Sequence, residues 1–362
     1  MDVAGARRIQ LRSSVEPLIA ADGCCYLVRA GADDLVVRDA DAADRALIEL
    51  LAAGERTEDE LLAELPLDRA GLRDKLAALD GAGVLATASA SAPLDGDDAE
   101  RFSRQLPYLA ELGDAHELQR ALRAAHVAVI GCGGLGTWTI AALATTGIGR
   151  FTIVDDDVVE LSNLNRQVLF RHADVGRPKT EVVAAWLTAF DPGLRVGAVR
   201  TRVSRRGDLE GIVDGADVVV LAADWPPYTI ARWVSDACVA AGVPFIASGQ
   251  APPLLKIGPL YVPGRTACFR CHERALRQDS PHYDAYVAAA QRGPSRGATL
   301  GPASGAIGTL VATEVLHLLC GRDPASLGAA LILDMRSLEL RRETIVPDAG
   351  CPACHAPPQR TR

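Results

Sequence analysis

GCGGLG, residues 131–136, is the stretch of sequence that decides the fold of this chain. It follows the apolar segment HVAVI (126–130), which is typical of a buried strand, and it opens an apolar segment over 135–146 that is typical of a helix. Glycines at this place permit a tight turn and let backbone N–H groups approach a phosphate, which a helix N-terminus also favours. The glycines concerned are Gly131, Gly133, Gly134 and Gly136.

Asp155 comes directly after the next predicted strand (150–154), about 20 residues beyond the glycine turn. A carboxylate at this place can bind a ribose hydroxyl. The turn and the carboxylate together predict a site for a nucleotide or dinucleotide. The alternative is a glycine-rich turn that only packs a helix on a strand, and at this point a dehydrogenase also fits.

Strands and helices alternate from residue 99 onward. The predicted strands cover 126–130, 150–154, 218–222 and 244–247, and the predicted helices cover 135–146, 179–190 and 229–241. This order predicts an α/β fold of the Rossmann-like, doubly wound kind, in which a mainly parallel sheet carries helices on both faces. We assign residues 99–362 to this domain.

The first 87 residues predict a separate, small α+β domain. Two apolar runs between 23 and 38 predict a hairpin, and leucines at helical spacing predict helices over 45–53, from Thr57, and over 68–80. Thr57 and Glu60 have the spacing of a capping box at the start of the second helix. With an extended segment at 83–85, these elements predict a winged-helix domain over 1–87. The polar sequence that follows, interrupted by Pro and Gly, predicts a linker over 88–98.

The charge and the composition argue against several partners. The net charge is −8, with no basic stripe, and phosphate backbones are bound by clustered Lys and Arg, so we expect no nucleic-acid partner. The first residues lack the apolar core of a secretory signal, and no segment approaches 18 uninterrupted apolar residues. We therefore expect a soluble, cytoplasmic protein with no membrane partner.

Two Cys-x-x-Cys pairs predict a zinc site. Four thiolates suit tetrahedral Zn²⁺, and a site that they fill is structural because no coordination position stays open. The alternatives are a redox-active pair or buried free thiols. His272 and His355 follow the second Cys of each pair, and they rank below the thiols as ligands. The four cysteines are Cys268, Cys271, Cys351 and Cys354.

Polar residues beyond the second strand argue against hydride transfer. A bound triphosphate needs its charges neutralised by fixed Arg and Lys, and a pyrophosphate leaving group is stabilised in the same way. Taken singly, Arg166 and Lys179 are more often surface charges, but here they follow a glycine turn and an acidic strand end. The polar set is Asp155, Asp157, Asn163, Arg166, Gln167 and Lys179.

GCGGLG, VDDDVVELSNLNRQ (154–167) and GRPK (176–179) together resemble the E1-like superfamily, whose members activate carboxyl groups by adenylation. The resemblance runs from residue 101 to residue 355. It implies that ATP is the nucleotide and that Asp155 holds the ribose. It also implies that Asn163, Arg166 and Lys179 face the phosphates, with Gln167 in support.

The same resemblance implies two further roles. Asp224, at the end of VVVLAAD (218–224), matches an aspartate that helps to bind Mg²⁺ and to position the reacting carboxylate; a helix-capping Asp is the alternative. Arg104 matches an arginine that dimeric members lend to the ATP of the neighbouring subunit. The protein is therefore expected to be a homodimer.

The substrate is suggested by two finer resemblances. The sequence from Asp224 to Cys271 is closer to peptide-activating members, above all those that adenylate the microcin C heptapeptide, and Trp225 stands where sulfur-carrier enzymes usually have Asn. The N-terminal domain resembles the PqqD-like winged-helix modules that recognise leader peptides, which add a peptide strand to a sheet edge. A DNA-binding winged helix is the alternative, and its second helix here is too acidic for phosphate contacts.

We therefore predict ATP-dependent adenylation of a carboxylate on a ribosomally synthesised precursor peptide, with release of pyrophosphate. One alternative is adenylation of the C-terminal Gly-Gly of a ubiquitin-like sulfur carrier, and another is a non-catalytic leader-binding partner. The sequence has no Cys between 272 and 306, where relatives that form a thioester or persulfide carry one. The reaction is therefore expected to end with the adenylate or with its capture by a nitrogen nucleophile.

Overall fold

The computed structural model of the 362-residue chain describes residues 8–20, 24–29, 33–88, 91–293 and 298–354. The chain folds into two compact units, Met1–Ala121 and Leu122–Arg362. The boundary between them falls inside a helix, Ala115–Ala124.

The first unit combines two small antiparallel sheets with helices. One sheet has the strand order β5-β1-β6 and the other has the order β2-β3-β4. Its elements are β1 (Arg8–Leu11), β2 (Val15–Ile19), β3 (Cys25–Arg29), β4 (Leu35–Val37), α1 (Ala42–Ala53), β5 (Arg56–Thr57), α2 (Glu58–Glu64), α3 (Arg69–Gly81), β6 (Leu85–Ala88), α4 (Gly96–Arg101), α5 (Leu106–Leu112) and α6 (Ala115–Ala124).

The predicted hairpin, three helices and closing strand are present in this unit. The capping box is formed: Glu60 N donates to Thr57 Oγ1 (3.1 Å), and Thr57 N donates to Glu60 Oε2 (2.8 Å). Leucines of the three helices, among them Leu47, Leu61 and Leu72, form one buried core with β1 to β3. Strands β1, β2 and β5 were not predicted, and the winged-helix assignment stays a prediction.

The predicted boundaries at 87 and 98 differ from the compact units. Residues 91–94 bind to the start of α6: Ser91 Oγ donates to Asp114 Oδ1 (2.7 Å), and Leu94 N donates to the His116 ring (3.2 Å). Arg12 of the first sheet region forms an ion pair with Glu111 at 2.7 Å. These bonds hold the segment predicted as a linker, and α5 after it, within the first unit.

The second unit contains a six-stranded sheet of order β14-β11-β10-β7-β8-β9, in which all neighbours are parallel except β14. This confirms the predicted mainly parallel α/β fold. A second, antiparallel sheet has the order β12-β13-β15-β16. The elements are β7 (His126–Ile130), α7 (Gly134–Thr145), β8 (Arg150–Val154), α8 (Lys179–Phe190), β9 (Arg195–Val199), β10 (Val218–Leu221), α9 (Thr229–Ala241), β11 (Phe245–Ala247), β12 (Gly249–Ala251), β13 (Leu254–Ile257), β14 (Leu260–Tyr261), α10 (Phe269–Asp279), α11 (Tyr283–Ala290), α12 (Gly301–Leu319), β15 (Ala329–Asp334) and β16 (Leu340–Thr344).

The strand order brings distant parts of the sequence to one edge of the sheet. From β7 the chain first adds β8 and β9 on one side of the sheet. It then returns to add β10 on the other side of β7, so the strand order reverses at β7. In open α/β sheets a crevice forms outside the carboxyl ends of the strands at such a switch point, and ligands bind there. The glycine turn, which follows β7, therefore lies at the place where this fold binds ligands.

Close packing around helix α7 requires glycine at two positions. A Cβ on Gly136 would lie 1.9 Å from the carbonyl oxygen of Gly131, so α7 can start next to the turn only with glycine there. A Cβ on Gly308 of α12 would lie 2.6 Å from Cβ of Trp138, and Thr139 Oγ1 donates to the Gly308 carbonyl (3.1 Å). Helix α7 is thus held between the sheet and α12.

Among the described residues, one helix, α12, is long and apolar enough to cross a membrane, judged by length and composition alone. Half of its most apolar window is buried inside the protein, and its buried residues include Ile307, Val311 and Val315. These residues face the protein core, as expected of a central helix in an α/β domain.

The replacement Gly136→Ala tests the packing of the turn. Because the added methyl group would collide with backbone rather than with a flexible side chain, we expect the free energy of unfolding to fall by about 3 kcal/mol or more. Gly197→Ala in β9 is the matched control, since its nearest neighbour would be 3.6 Å away. Thermal unfolding followed by circular dichroism measures both, and equal stability of the two variants would contradict the packing described.

Candidate active site and metal centre

A cavity of about 760 Å³ opens at the carboxyl ends of the parallel strands. It lies wholly within the second unit, and residues after β7, β8, β9, β10 and β11 line it. The sequence-predicted residues that it brings together are Gly131, Gly133, Gly134, Asp155, Asp157, Arg166, Gln167, Lys179 and Asp224.

Three predicted residues do not line this cavity. Gly136 lies behind the turn, where its role is the close packing described above. Asn163 is buried, and its Oδ1 accepts a hydrogen bond from Glu160 N (3.0 Å), so its side chain caps a short 3₁₀ turn. Arg104 is exposed in the turn between α4 and α5 and belongs to the first unit. The phosphate contacts predicted for Asn163 and Arg104 stay predictions.

Asp155 connects the glycine turn to the end of β8. Its Oδ2 accepts a hydrogen bond from Cys132 N (2.6 Å), and its Oδ1 accepts one from Asp157 N (2.9 Å). Burial raises the pKa of Asp155, and the positive charge of Lys179 and these two hydrogen bonds work against that rise. Each carboxylate oxygen keeps a second lone pair, so a ribose hydroxyl can still donate to this group.

Lys179 is the first residue of α8 and is 5% exposed. Its Nζ forms an ion pair with Asp157 Oδ2 at 2.7 Å, and its backbone N donates to the Asp157 carbonyl (3.0 Å). Asp157 therefore holds both the backbone and the ammonium group of Lys179. A buried cation at the wall of the cavity is suited to neutralise a bound anion.

Arg166 and Gln167 form the neighbouring wall. Arg166 Nη1 donates to the carbonyl of Ser162 and to Asn165 Oδ1, both at 2.9 Å, which leaves most of its five donors for a ligand. Gln167 is 3% exposed, and its Oε1 is among the few buried side-chain atoms of the described residues that have no hydrogen-bond partner. Buried polar atoms are nearly always paired, so this oxygen points to a polar ligand.

Asp224 lies on the opposite side of the crevice, after β10. It is exposed, as is the adjacent Trp225, which is 37% exposed although it is large and apolar. Sequence reasoning missed one group of lining residues, which follow β9 or β11 or precede α12. They include Thr201, Arg202, Val203, Ser248, Gly249, Gln250, Ala298 and Thr299.

The residues present fit a nucleoside triphosphate. The space above Gly133 is open, because a Cβ there would meet no atom within 4 Å, and the N-terminus of α7 begins at that point. Two cations, an unpartnered buried amide oxygen and a carboxylate with free lone pairs surround this space. The carboxylate oxygens of Asp155, Asp156 and Asp157 also lie within 4.8 Å of one another, but such acidic groups are common without a bound ion.

The four predicted zinc ligands form one cluster. Their sulfur atoms all lie within 4.8 Å of one another, with distances of 3.9 Å for Cys268–Cys271, 3.6 Å for Cys268–Cys351 and 3.3 Å for Cys271–Cys354. A tetrahedral site with Zn–S bonds of about 2.3 Å requires sulfur separations of about 3.8 Å. The four thiols therefore fit a single zinc ion.

Backbone N–H groups also point at this cluster. Cys268 N donates to Cys354 Sγ (3.2 Å), and Asp348 N donates to Cys271 Sγ (3.4 Å), which favours thiolates. Although burial works against it, hydrogen bonds from the backbone of Cys354 and Ala353 lower the pKa of Cys351 to about 7. The predicted substitute ligand His272 lies outside the cluster, since its Nδ1 is 2.7 Å from Tyr261 Oη, and His355 lies outside the described residues.

The other cysteines of the second unit are unreactive core residues. Burial raises the pKa of Cys320 to about 11, and burial also raises the pKa values of Cys132 and Cys238 above the usual range of a thiol. Since the thiolate is the nucleophilic form, these thiols are poorly suited to accept an acyl group. No Cys side chain of the described chain lies beside Asp224 as a lining residue of the cavity.

Zinc content tests the metal centre. We expect about one zinc ion per chain in the purified protein, and we expect Cys351→Ser to lose it and to unfold at a lower temperature, because the metal links two segments of chain. Cys24→Ser, in the first unit, is the matched control and should retain the metal. Elemental analysis by mass spectrometry measures this, and a zinc-free wild type or a zinc-loaded Cys351→Ser would contradict the site.

Comparison with known proteins places these features in one family. The ThiF family matches residues 102–353. The SAMP-activating enzyme E1 of Haloferax volcanii is 34% identical over 267 residues, which is 72% of this chain and 90% of that protein. The sulfur carrier protein ThiS adenylyltransferase of Escherichia coli is 33% identical over 260 residues, which is 71% of this chain and 95% of that protein.

Solved structures extend the likeness to the rest of the chain. The crystal structure of Escherichia coli MccB with ATP has a TM-score of 0.77 and 24% identity, and the match covers 96% of this chain and 99% of that chain. At that identity the likeness shows the fold. The family match and the identities with its curated members together show that this chain belongs to the ThiF family of E1-like proteins and is an adenylyltransferase.

Proposed function

We propose that this adenylyltransferase activates a carboxylate of a ribosomally synthesised precursor peptide. The observation that supports this most is the extent of the likeness. The sequence matches to the curated sulfur carrier protein adenylyltransferases cover 71% of the chain, whereas the structural match to MccB covers 96% of it and so includes the first unit. One of the matching structures is of the microcin C7 biosynthetic enzyme MccB in complex with N-formylated MccA.

In this proposal the nucleotide occupies the side of the cavity formed after β7, β8 and β9. Asp155 accepts from the ribose, and the backbone N–H groups of the glycine turn face the phosphates. Arg166 and Lys179 hold the negative charge that builds up on the outer two phosphates as they leave. Lys179 is already positioned for this by Asp157, so little reorganisation is needed.

The chemical step is a displacement at phosphorus. A carboxylate oxygen of the peptide forms a bond to the α-phosphorus of ATP, the bond from that phosphorus to the bridging oxygen breaks, and pyrophosphate leaves. No proton transfer is required, because the attacking group is already ionised at neutral pH. The role of the protein is to hold two anions together, and a Mg²⁺ ion beside Asp224 would neutralise part of their charge.

The adenylate then needs a nucleophile other than a cysteine of the described cavity wall. Cys320 and Cys132 are buried, and burial raises the pKa of both. We propose that the reaction ends with the peptidyl adenylate or with its capture by a nitrogen nucleophile, in a cytoplasmic homodimer.

The first unit would bind the leader part of the peptide. Its sheet β2-β3-β4 ends at β4, whose outer edge pairs with no other described strand. Leu18, Val28 and Val36 are 57%, 39% and 36% exposed on these three strands. An open edge offers main-chain hydrogen bonds and apolar side chains offer selectivity, as strand addition requires.

Adenylation of a sulfur carrier is the second candidate. It is favoured by two relatives at 33% identity, the sulfur carrier protein ThiS adenylyltransferase of Escherichia coli and the sulfur carrier protein adenylyltransferase of Thermus thermophilus. The third reading, a leader-binding partner without activity, is disfavoured because Arg166, Lys179 and Asp224 all line one cavity.

Exchange of labelled pyrophosphate into ATP separates these candidates. We expect the zinc-loaded protein to catalyse exchange when short peptides encoded beside its own gene are added, because a reversible adenylate returns label to ATP. The opposite result would be exchange with a ubiquitin-like protein that has an intact C-terminal Gly-Gly, and no exchange with any of these peptides. That result would reject the peptide proposal and support the sulfur carrier as substrate.

Asp224→Asn tests the proposed role of this carboxylate. We expect exchange to fall by at least about a hundredfold, with ATP binding retained in calorimetry, since the charge acts on the reacting groups rather than on the fold. Asp323→Asn is the control, because Asp323 is an exposed acid paired with Arg265 at 2.8 Å. Full activity of Asp224→Asn would rule out the role.

Arg104 is tested by mixing subunits. Arg104→Ala and Asp224→Asn homodimers should both be nearly inactive, but a heterodimer purified with two different tags should regain about half of its sites, because one site then receives Arg104 from the other subunit. A heterodimer as inactive as its parents would show that Arg104 does not act across a dimer.

A further inference from the structure

The cavity has two chemically different halves. The half formed after β7, β8 and β9 contains its glycine turn and, among the described residues, all of its basic side chains, namely Arg166, Lys179 and Arg202. The half formed after β10 and β11 contains Asp224 and Trp225 together with Ser248, Gly249 and Gln250. A polyanionic nucleotide matches the first half, so the second half is left for the other substrate.

Space for a main chain exists in this second half. A Cβ on Gly249 would meet no atom within 4 Å, and Gly249 is exposed at the start of the edge strand β12. A substrate backbone can therefore approach the wall closely at this point. This wall follows β11, which is separated from β7 and its glycine turn by β10.

The amide side chain in this wall, that of Gln250, already forms hydrogen bonds within the protein. Gln250 Nε2 donates to Thr299 Oγ1 (2.9 Å), and Gln250 Oε1 accepts from Ser304 Oγ (3.2 Å). Its amide is thus fixed to α12 and to the segment before it. Such an amide shapes the wall, but it has little freedom left to select a substrate side chain.

Trp225 supplies a large apolar surface in this half of the cavity. It directly follows Asp224, its side chain is 37% exposed, and it lines the cavity near the buried Ile230. Covering an exposed indole with an apolar group is favourable, and the ring provides a flat surface for a second aromatic ring. A substrate whose carboxylate reacts beside Asp224 carries its last side chain into this neighbourhood.

We propose that the half of the cavity after β10 and β11 is the subsite for the C-terminal residue of the peptide, and that Trp225 selects a large apolar or aromatic side chain at that residue. This inference rests on the proposed function. A C-terminal glycine would leave Trp225 uncovered, so a Gly-Gly terminus gains nothing from this subsite. Trp225 is a specificity residue and takes no part in the bond changes.

The test uses pools of short synthetic peptides, each randomised except for one fixed C-terminal residue, in the pyrophosphate-exchange assay. Wild-type protein should exchange fastest with the Phe, Trp and Leu pools, ahead of the Gly pool by about tenfold or more. Trp225→Ala should remove this preference by raising KM for those pools while leaving KM for ATP and the Gly pool unchanged. Trp225→Phe should retain the preference, and Leu340→Ala, an exposed leucine on β16, is the control for a general effect.

The outcomes separate this inference from the proposed function. Exchange with peptides that shows no preference for an apolar terminus, or a preference that survives in Trp225→Ala, overturns the inference and leaves the function standing. An equal rise in KM for ATP with every pool assigns Trp225 to the nucleotide and also overturns the inference. Absence of exchange with every pool, in folded and zinc-loaded protein, counts against the peptide function and the subsite together.

Discussion

The partly buried carboxylate of Asp155 joins two neighbouring strands, and the arrangement of the cavity depends on it. One oxygen holds the N–H of Cys132 in the glycine turn, and the other holds the N–H of Asp157. Asp157 in turn holds Lys179 through its side chain and its carbonyl. The turn, the strand end and the first residue of α8 are therefore connected. Burial disfavours the negative charge of Asp155, and the hydrogen bonds and the nearby Lys179 cation stabilise it.

Four strands of the central sheet could be predicted because they are short apolar runs, and two of them end directly before glycine or aspartate. The strands 126–130 and 150–154 and the helices 179–190 and 229–241 agree with the structure residue for residue. Strand β2 was missed because it contains Pro17, and β5 was missed because it has only two residues. The linker at 88–98 stays a prediction, but its contacts could not be predicted, because composition does not reveal that a polar, Pro-containing segment binds to a neighbouring helix through its Ser91 side chain and its backbone.

Lining residues that belong to a sequence motif could be predicted. Lining residues that reach the cavity only through the order of the strands could not. Arg166, Lys179 and Asp224 were found because each stands at a recognisable distance from a strand end. The wall formed by Ser248 and Gly249 could not be found, because it becomes part of the site only through the spatial order of the strands, in which β10 lies beside β7 and β11 lies beside β10. The sequence also did not reveal that Asn163 Oδ1 accepts a local capping bond from Glu160 N; the phosphate contact predicted for this residue stays a prediction.

The cysteine cluster has a consequence for the unfolded chain. Cys268 and Cys351 are 83 positions apart, and a metal ion bound to both closes a loop that includes α10, α11, α12, β15 and β16. By analogy with a covalent cross-link of this span, closing the loop removes conformational entropy from the denatured ensemble worth on the order of 4 kcal/mol. Because α12 packs against α7, an ion bound by cysteines that do not line the cavity would in this way limit how often the helix behind the glycine turn separates from its support.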